Sequence, residues 1–192
     1  YLHNSNEYLE AQFSIFKIGG TPINVNYRYK ADELLYLLDN SDCEALFYQA
    51  CYGDQINLIK DSLPKIKAWI EIDDGSPSQV PESLNYTQLL KDCEPMDRWQ
   101  RPEDIVYMLY TGGTTGMPKG VMYNQAEFIS GMFKTVKAMG YLVPDDMNNL
   151  TEYVKDLDNK NELPVNLVGG RLLDGPGGVG GCLRPAEVGG RV

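Results

Sequence analysis

The ten residues Thr111–Gly120, which read TGGTTGMPKG, constrain this chain more than any other segment. They follow an apolar run of strand length, Asp104–Tyr110, and they precede residues 121–133, VMYNQAEFISGMF, which have the pattern of a helix. Glycines let backbone N–H groups approach anionic oxygens, threonine hydroxyls add donors, and a lysine adds a full positive charge. The segment therefore predicts a phosphate-binding loop between a strand and a helix.

Two common phosphate-binding loops do not fit this segment. A Walker A loop ends in Gly-Lys-Ser/Thr, whereas Lys119 lies between a proline and a glycine. A Rossmann fingerprint requires G-x-G-x-x-G directly after the strand and an acidic residue about 20 residues later. The glycines of this loop, Gly112, Gly113 and Gly116, do not have that spacing.

The segment resembles the phosphate loop of the AMP-forming adenylating enzymes, which include acyl-CoA synthetases, luciferase-like ligases and peptide-synthetase adenylation domains. Their signature is two small residues, Gly, two hydroxyl residues, Gly, any residue, Pro, Lys and Gly, and this segment matches it throughout. The resemblance implies that the loop holds the β- and γ-phosphates of ATP and that its lysine neutralises the departing pyrophosphate. The ATP-binding residues that it implies are Thr111, Gly112, Gly113, Thr114, Thr115, Gly116 and Lys119.

A second stretch, Phe16–Phe47, resembles the same enzymes and is closest to medium- and long-chain fatty acyl-CoA synthetases, through the run VNYRY and the run ELLYLLDNSD. The resemblance implies a carboxylic acid substrate, with a fatty acid favoured, together with ATP, Mg²⁺ and CoA. In the implied reaction the carboxylate attacks the α-phosphate of ATP, pyrophosphate leaves, and the CoA thiol captures the acyl-adenylate.

The residue pattern by itself predicts helices that alternate with strands. Asn4 and Glu7 have the spacing of a capping box, and Gly19–Gly20 end that first helix, one of them in a left-handed conformation. Alternating apolar residues at 23–27 predict a half-buried strand, and apolar residues at helical spacing over 31–38 predict a second helix. Further predicted elements are strands at 45–48 and 68–72 and helices at 54–63, 86–91 and 145–160.

This alternation predicts an α/β fold with a mainly parallel sheet flanked by helices. We expect residues 1–168 to form part of the N-terminal domain of an adenylate-forming enzyme. Members of that family are more than twice as long as this chain. Their downstream magnesium-binding motif, ribose-binding aspartate and catalytic lysine have no counterpart here, and the chain starts at Tyr1 without a methionine. We therefore expect a fragment without catalytic activity of its own.

Composition narrows the classes of partner. A formal charge of −10 disfavours nucleic acids and anionic membranes as partners, and no run approaches the ~20 apolar residues of a membrane span. The four cysteines show no C-x-x-C spacing and are predicted to be free, mostly buried thiols in a reducing cytoplasm: Cys43, Cys51, Cys93 and Cys182. Neither metal ligands nor an oligomeric state can be assigned.

Two other functions remain open at this point. The chain could derive from another adenylating ligase, such as an aryl-CoA ligase or a peptide-synthetase adenylation domain, and acyl-pocket residues downstream would decide between them. It could also be a non-catalytic module that binds nucleotide weakly or packs on a partner.

The composition changes abruptly after Val168. Residues 169–192 hold 9 of the 19 glycines and contain no lysine, aromatic residue, serine, threonine or asparagine. A natural linker would favour serine and proline over arginine, leucine and valine, so we favour translation out of frame over a glycine-rich linker. On either interpretation the segment is predicted to be an unstructured tail.

Deletion of residues 169–192 should change the free energy of unfolding of the rest by no more than about 0.5 kcal/mol, because a tail without packed apolar surface contributes little stability. Urea denaturation of the full chain and of the truncated chain measures the difference. Strong amide-exchange protection throughout the tail would contradict the prediction.

Overall fold

The computed structural model describes residues 1–97, 102, 104–111, 117–138, 140, 149–160 and 162. The chain divides into two compact units, Tyr1–Met122 and Tyr123–Val192. The predicted tail and the first part of the predicted 145–160 helix lie outside the described residues. Within the described part, no helix is both long and apolar enough to cross a membrane.

Helices and strands alternate along most of the chain, as the sequence predicts. In chain order they are α1 (Asn6–Lys17), α2 (Ala31–Asn40), β1 (Ala45–Gln49), α3 (Gly53–Ile59), β2 (Ala68–Ile72), β3 (Leu84–Asn85), α4 (Tyr86–Asp92), β4 (Val106–Thr111), β5 (Lys119–Asn124), α5 (Gln125–Ala138) and α6 (Leu150–Asn159). The helices predicted at 31–38, 54–63 and 86–91 and the strands predicted at 45–48 and 68–72 are confirmed.

The strands form a parallel sheet and a separate pair. β1 pairs with β2 in parallel, with Ala45 opposite Ala68, and β2 pairs with β3 in parallel, with Ile70 opposite Leu84. β4 pairs with β5 in a two-stranded sheet. The predicted α/β class with parallel pairing is therefore confirmed.

The core of the first unit lies between the parallel sheet and two helices, α2, which precedes β1 in the chain, and α3, which follows it. Leu34, Leu37 and Leu38 of α2 and Ile56 of α3 are almost wholly buried in one cluster with β1. The three leucines recur at helical spacing, so α2 presents one apolar face to the sheet. Burial of each leucine contributes about 2 kcal/mol of stability relative to an exposed one.

The start of α1 differs from the predicted capping box. Ser5 is the N-cap, and its hydroxyl oxygen accepts a hydrogen bond from the Tyr8 N–H at 3.3 Å. The predicted cap at Asn4, with Glu7 as its partner, is therefore wrong by one residue, since serine and asparagine cap helices equally well and stand side by side here. The predicted end is confirmed, because Gly19 follows the last turn with a positive φ of 78°.

The strand predicted at 23–27 is reduced to a single bridge. Ile23 pairs in parallel with Met108 of β4, and no other residue of 23–27 forms a backbone ladder. A turn follows at once, in which the Asn26 side chain accepts from the Arg28 N–H and the Asn26 carbonyl accepts from the Tyr29 N–H. Local side-chain bonds of this kind compete with strand pairing, and here they prevail.

The second unit, taken by itself, carries α5 and α6. Met132 of α5 is buried and Ile129 and Phe133 are partly buried, so this helix has one apolar face at helical spacing. In α6, Asp156 and Lys160 form an ion pair with a 2.7 Å contact one helical turn apart.

The cysteines are more exposed than predicted. Cys43 is partly buried, whereas Cys51 and Cys93 are exposed, and all three are free thiols. Cys51 lies in a short 3-10 turn, Ala50–Tyr52, after β1, and Cys93 directly follows the end of α4. Cys182 lies outside the described residues.

Candidate functional site

The structure describes the two ends of the predicted phosphate loop. Thr111 is the last residue of β4 and is exposed. The next residue that the structure describes is Met117. Lys119 begins β5 and is also exposed. The other predicted ATP-binding residues lie outside the described residues: Gly112, Gly113, Thr114, Thr115 and Gly116.

The loop leads into a strand, so the helix predicted over residues 121–133 is present but begins four residues later than predicted. Residues Lys119–Asn124 pair with β4, and α5 begins only at Gln125. Val121 and Tyr123 favour a strand, and the Asn124 side chain accepts from the Glu127 N–H at 3.1 Å. The spacing of Asn124 and Glu127 is a helix-start signal that the sequence does carry. The described exit of the loop is therefore the start of a strand and not of a helix.

The exit of the loop is packed tightly on the strand before it. Pro118 is buried, and a Cβ atom placed on Gly120 would lie 3.0 Å from the Met108 Sδ and 3.1 Å from a ring carbon of Tyr110. A side chain at this position would require Met108 or Tyr110 to move by a few tenths of an ångström. The last glycine of the motif therefore makes a close contact with the strand before the loop.

Tyr110 is held by two asparagine side chains. Its backbone N–H donates to Asn24 Oδ1 at 2.8 Å, and its carbonyl accepts from Asn24 Nδ2 at 3.4 Å. Its hydroxyl donates to Asn40 Oδ1 at 2.8 Å. Burial raises the pKa of the Tyr110 hydroxyl above its ordinary value, and the nearby Tyr36 and Asp42 raise it further. The hydroxyl therefore stays protonated at neutral pH and remains a donor.

Helix α1 supports β4 through a second tyrosine. The Tyr107 hydroxyl accepts from Gln12 Nε2 at 3.3 Å, and the Tyr107 ring lies 5.6 Å from the ring of Phe16. Both contacts are buried, so α1 fixes the position of β4 along its length. Sequence reasoning identified none of these supporting residues as part of the site.

Among the described residues of the loop, Lys119 carries the positive charge. Lys119 forms no ion pair with any residue in the part of the chain that the structure describes. The described residues also contain no cluster of three His, Cys, Asp or Glu side chains that could hold a metal ion. An exposed ammonium and an exposed hydroxyl at the two loop ends are groups that can bind anionic oxygens.

An open groove of about 670 Å³ lies elsewhere in the first unit, between α1, β1 and β4. Its lining is mostly apolar and includes Ile18, Phe47 and Val106. Neither Thr111 nor Lys119 lines it, so this groove is separate from the loop ends.

The model of the AMP-binding enzyme family matches residues 1–173 of this chain. The chain belongs to that family. It is 39% identical over 130 residues to a 3-oxocholest-4-en-26-oate–CoA ligase of Rhodococcus rhodochrous, covering 66% of this chain and 23% of the relative. It is 38% identical over 136 residues to the medium-chain acyl-CoA ligase Mig of Mycobacterium avium, covering 69% of this chain and 24% of the relative. The chain thus spans about a quarter of the length of these AMP-binding enzymes.

Solved structures show the same fold. Apo MatB from Rhodopseudomonas palustris superposes with a TM-score of 0.73 at 17% identity, over 98% of this chain and 32% of MatB. The anthranilate CoA ligase AuaEII, in complex with anthranoyl-AMP, gives a TM-score of 0.70 at 20% identity, over 98% of this chain and 33% of AuaEII. The α/β fold is therefore that of part of an AMP-binding enzyme.

The packing of Gly120 gives a direct test of the loop exit. Gly120→Ala should lower the free energy of unfolding by about 1–3 kcal/mol, because the added methyl overpacks the contact with Met108 and Tyr110. Gly131→Ala in α5 is the matched control, since a Cβ there meets nothing within 4 Å. It should instead stabilise its helix, by up to about 1 kcal/mol. Thermal and urea denaturation measure both, and equal effects would contradict the packing argument.

Proposed function

We propose that this chain carries the triphosphate-binding loop of an AMP-forming carboxylate–CoA ligase. The observation that carries the proposal is the pair of exposed loop ends. Thr111 follows Tyr110 directly, Lys119 stands next to the glycine that packs on the Tyr110 ring, and a glycine- and threonine-rich segment joins them. Membership of the AMP-binding enzyme family supports this assignment.

The loop would act by position and charge. Its backbone N–H groups and the hydroxyls of Thr111, Thr114 and Thr115 would hold the β- and γ-phosphates of ATP. The Lys119 ammonium would offset the negative charge that builds on pyrophosphate as it leaves. Donors that are fixed before the reaction can stabilise such charge without reorganising, which makes electrostatic preorganisation a large catalytic effect.

Magnesium enters the proposal only with the nucleotide. Bound to ATP, Mg²⁺ offsets phosphate charge. The described residues contain no carboxylate cluster that would hold Mg²⁺. The roles proposed for this chain are therefore those of the loop backbone, the threonine hydroxyls and the Lys119 ammonium.

The proposed substrate is a carboxylic acid with a large apolar part, with a fatty acid favoured. Support comes from the relatives, which are named as ligases of medium-chain acyl groups and of a cholestenoate. ATP as the nucleotide is supported by the structure of ATP-bound MatB, which superposes with a TM-score of 0.65. CoA as the acceptor follows from the names of the same ligases. A cytoplasmic location and the division at residue 168 into a partial domain and a tail stay predictions.

Replacement of Lys119 tests the phosphate role. Lys119→Ala should weaken ATP binding to the 192-residue chain by roughly tenfold to a hundredfold, the range for a lost hydrogen bond to a charged group. AMP lacks the β- and γ-phosphates, so its affinity should stay unchanged. Titration of each nucleotide, followed by amide resonances of Thr111 and Lys119, measures both affinities.

Lys91→Ala is the matched control for this experiment. Lys91 is an exposed lysine in the last turn of α4, and its loss should leave both affinities as they are. If Lys119→Ala binds ATP as the unchanged chain does, or if both lysine variants lose affinity equally, the loop is not a triphosphate site.

The chain alone should form no acyl-CoA from fatty acid, ATP and CoA. The chain spans about a quarter of the length of the ligases that it resembles, and the described residues contain no cluster of His, Cys, Asp or Glu side chains that could hold a metal ion. A thioester assay on purified chain, with a full-length acyl-CoA ligase as the positive control, measures this. Sustained thioester formation would contradict this prediction if the activity disappears when the chain is removed from the sample by affinity capture, because a contaminating enzyme would remain.

A further inference from the structure

Backbone pairing along one edge of β4 stops before the loop begins. On the side of residues 22–24, pairing is described at one bridge, between Ile23 and Met108. There the Met108 N–H donates to the Pro22 carbonyl at 3.4 Å. Two residues further along β4, at Tyr110, a continuing parallel ladder would offer a backbone carbonyl to the Tyr110 N–H.

The Asn24 side chain takes that place in the ladder. Its Oδ1 accepts from the Tyr110 N–H at 2.8 Å, and its Nδ2 lies 3.4 Å from the Tyr110 carbonyl oxygen, which is a longer and weaker bond. Asn24 is 7% exposed, so water does not replace these bonds easily. An amide that meets both the N–H and the C=O of one residue reproduces what a neighbouring strand would supply.

Tyr110 in turn supports both ends of the loop. Thr111, the first loop residue, is bonded to it directly, and Gly120 at the exit packs against its ring. The bond from the Tyr110 hydroxyl to Asn40 fixes that ring from its far end. The position of Tyr110 therefore sets where the backbone enters the loop and where Lys119 leaves it.

We propose that Asn24 is a positioning residue for the triphosphate loop, acting through the backbone of Tyr110. This inference rests on the proposed function. Asn24 itself touches no nucleotide. It fixes the direction in which Thr111 enters the loop, and a small misplacement of such groups can weaken their contacts with the β- and γ-phosphates strongly.

The test compares two asparagines of the same segment. Asn24→Leu keeps the size of the side chain and removes both bonds to Tyr110. Asn26→Leu is the matched control, because the Asn26 side chain bonds to the Arg28 N–H within its own turn. Amide hydrogen exchange of Tyr110, backbone shifts of Thr111 and Lys119, and affinities for ATP and for AMP are measured on the full 192-residue chain by NMR.

The proposal predicts a specific pattern. In Asn24→Leu, the amide hydrogen of Tyr110 should exchange roughly tenfold faster. The affinity for ATP should fall by roughly tenfold, which is the equivalent of one to two hydrogen bonds. The shifts of Thr111 and Lys119 should move, and AMP affinity should change little. In Asn26→Leu, the Tyr110 exchange rate and the ATP affinity should match those of the unchanged chain.

Other outcomes overturn it. Unchanged Tyr110 exchange in Asn24→Leu would show that the amide does not hold β4, and equal losses of ATP and AMP affinity would show a general structural role. If Asn24→Leu does not fold, Asn24→Ser decides by the same measurements, since its short side chain cannot span both groups of Tyr110.

The failure of the proposed function would look different. If the unchanged chain binds no ATP, the proposal that its loop binds the triphosphate is wrong. The positioning role is then decided by exchange at Tyr110 and by the shifts of Thr111 and Lys119, and unmoved shifts in Asn24→Leu would overturn it.

Discussion

The hydrogen bonds between the Asn24 side chain and the Tyr110 backbone are the constraint on which the loop region depends. They join two segments 86 positions apart in the chain and complete the edge of β4 where its ladder ends. Without them a buried N–H and a buried C=O would lose their partners, which costs about 1–3 kcal/mol for each group. The same tyrosine lies against Gly120, the neighbour of Lys119, so this contact reaches both described ends of the loop.

The net charge of the chain limits how the loop could attract an anion. The chain carries a formal charge of −10, so its overall field opposes the approach of a triphosphate. Attraction must then come from local groups, and among the described loop residues the full positive charge is the Lys119 ammonium. The described exit of the loop begins a strand, and α5 starts six residues after Lys119. On the proposed function, a site with this one described charge depends on the positions of its donors, so the contacts that hold its two ends matter for binding.

The sequence predicted elements with strong local signals and missed those set by distant contacts. The leucines of α2 and the apolar runs of β1 and β2 have clear periods, and these elements were placed almost to the residue. The strand after the loop was read as part of a helix, although Asn124 and Glu127 mark the true helix start. Asn24 stands at an alternate position where a polar side chain should face solvent, and its burial depends on Tyr110, a partner that no local pattern reveals.

The ten-residue motif therefore combines two kinds of requirement. Gly120 lies close to the ring of Tyr110 and to Met108, whereas the side chains of Thr111 and Lys119 are exposed. A motif match alone does not separate residues that meet a ligand from residues that hold the loop in place. The supports lie outside the motif, in the asparagines at positions 24 and 40 that hold Tyr110. On the proposed function, transfer of the ten residues to another strand would carry the phosphate donors without the contacts that hold Tyr110, so the phosphate-binding unit includes the segment around Asn24.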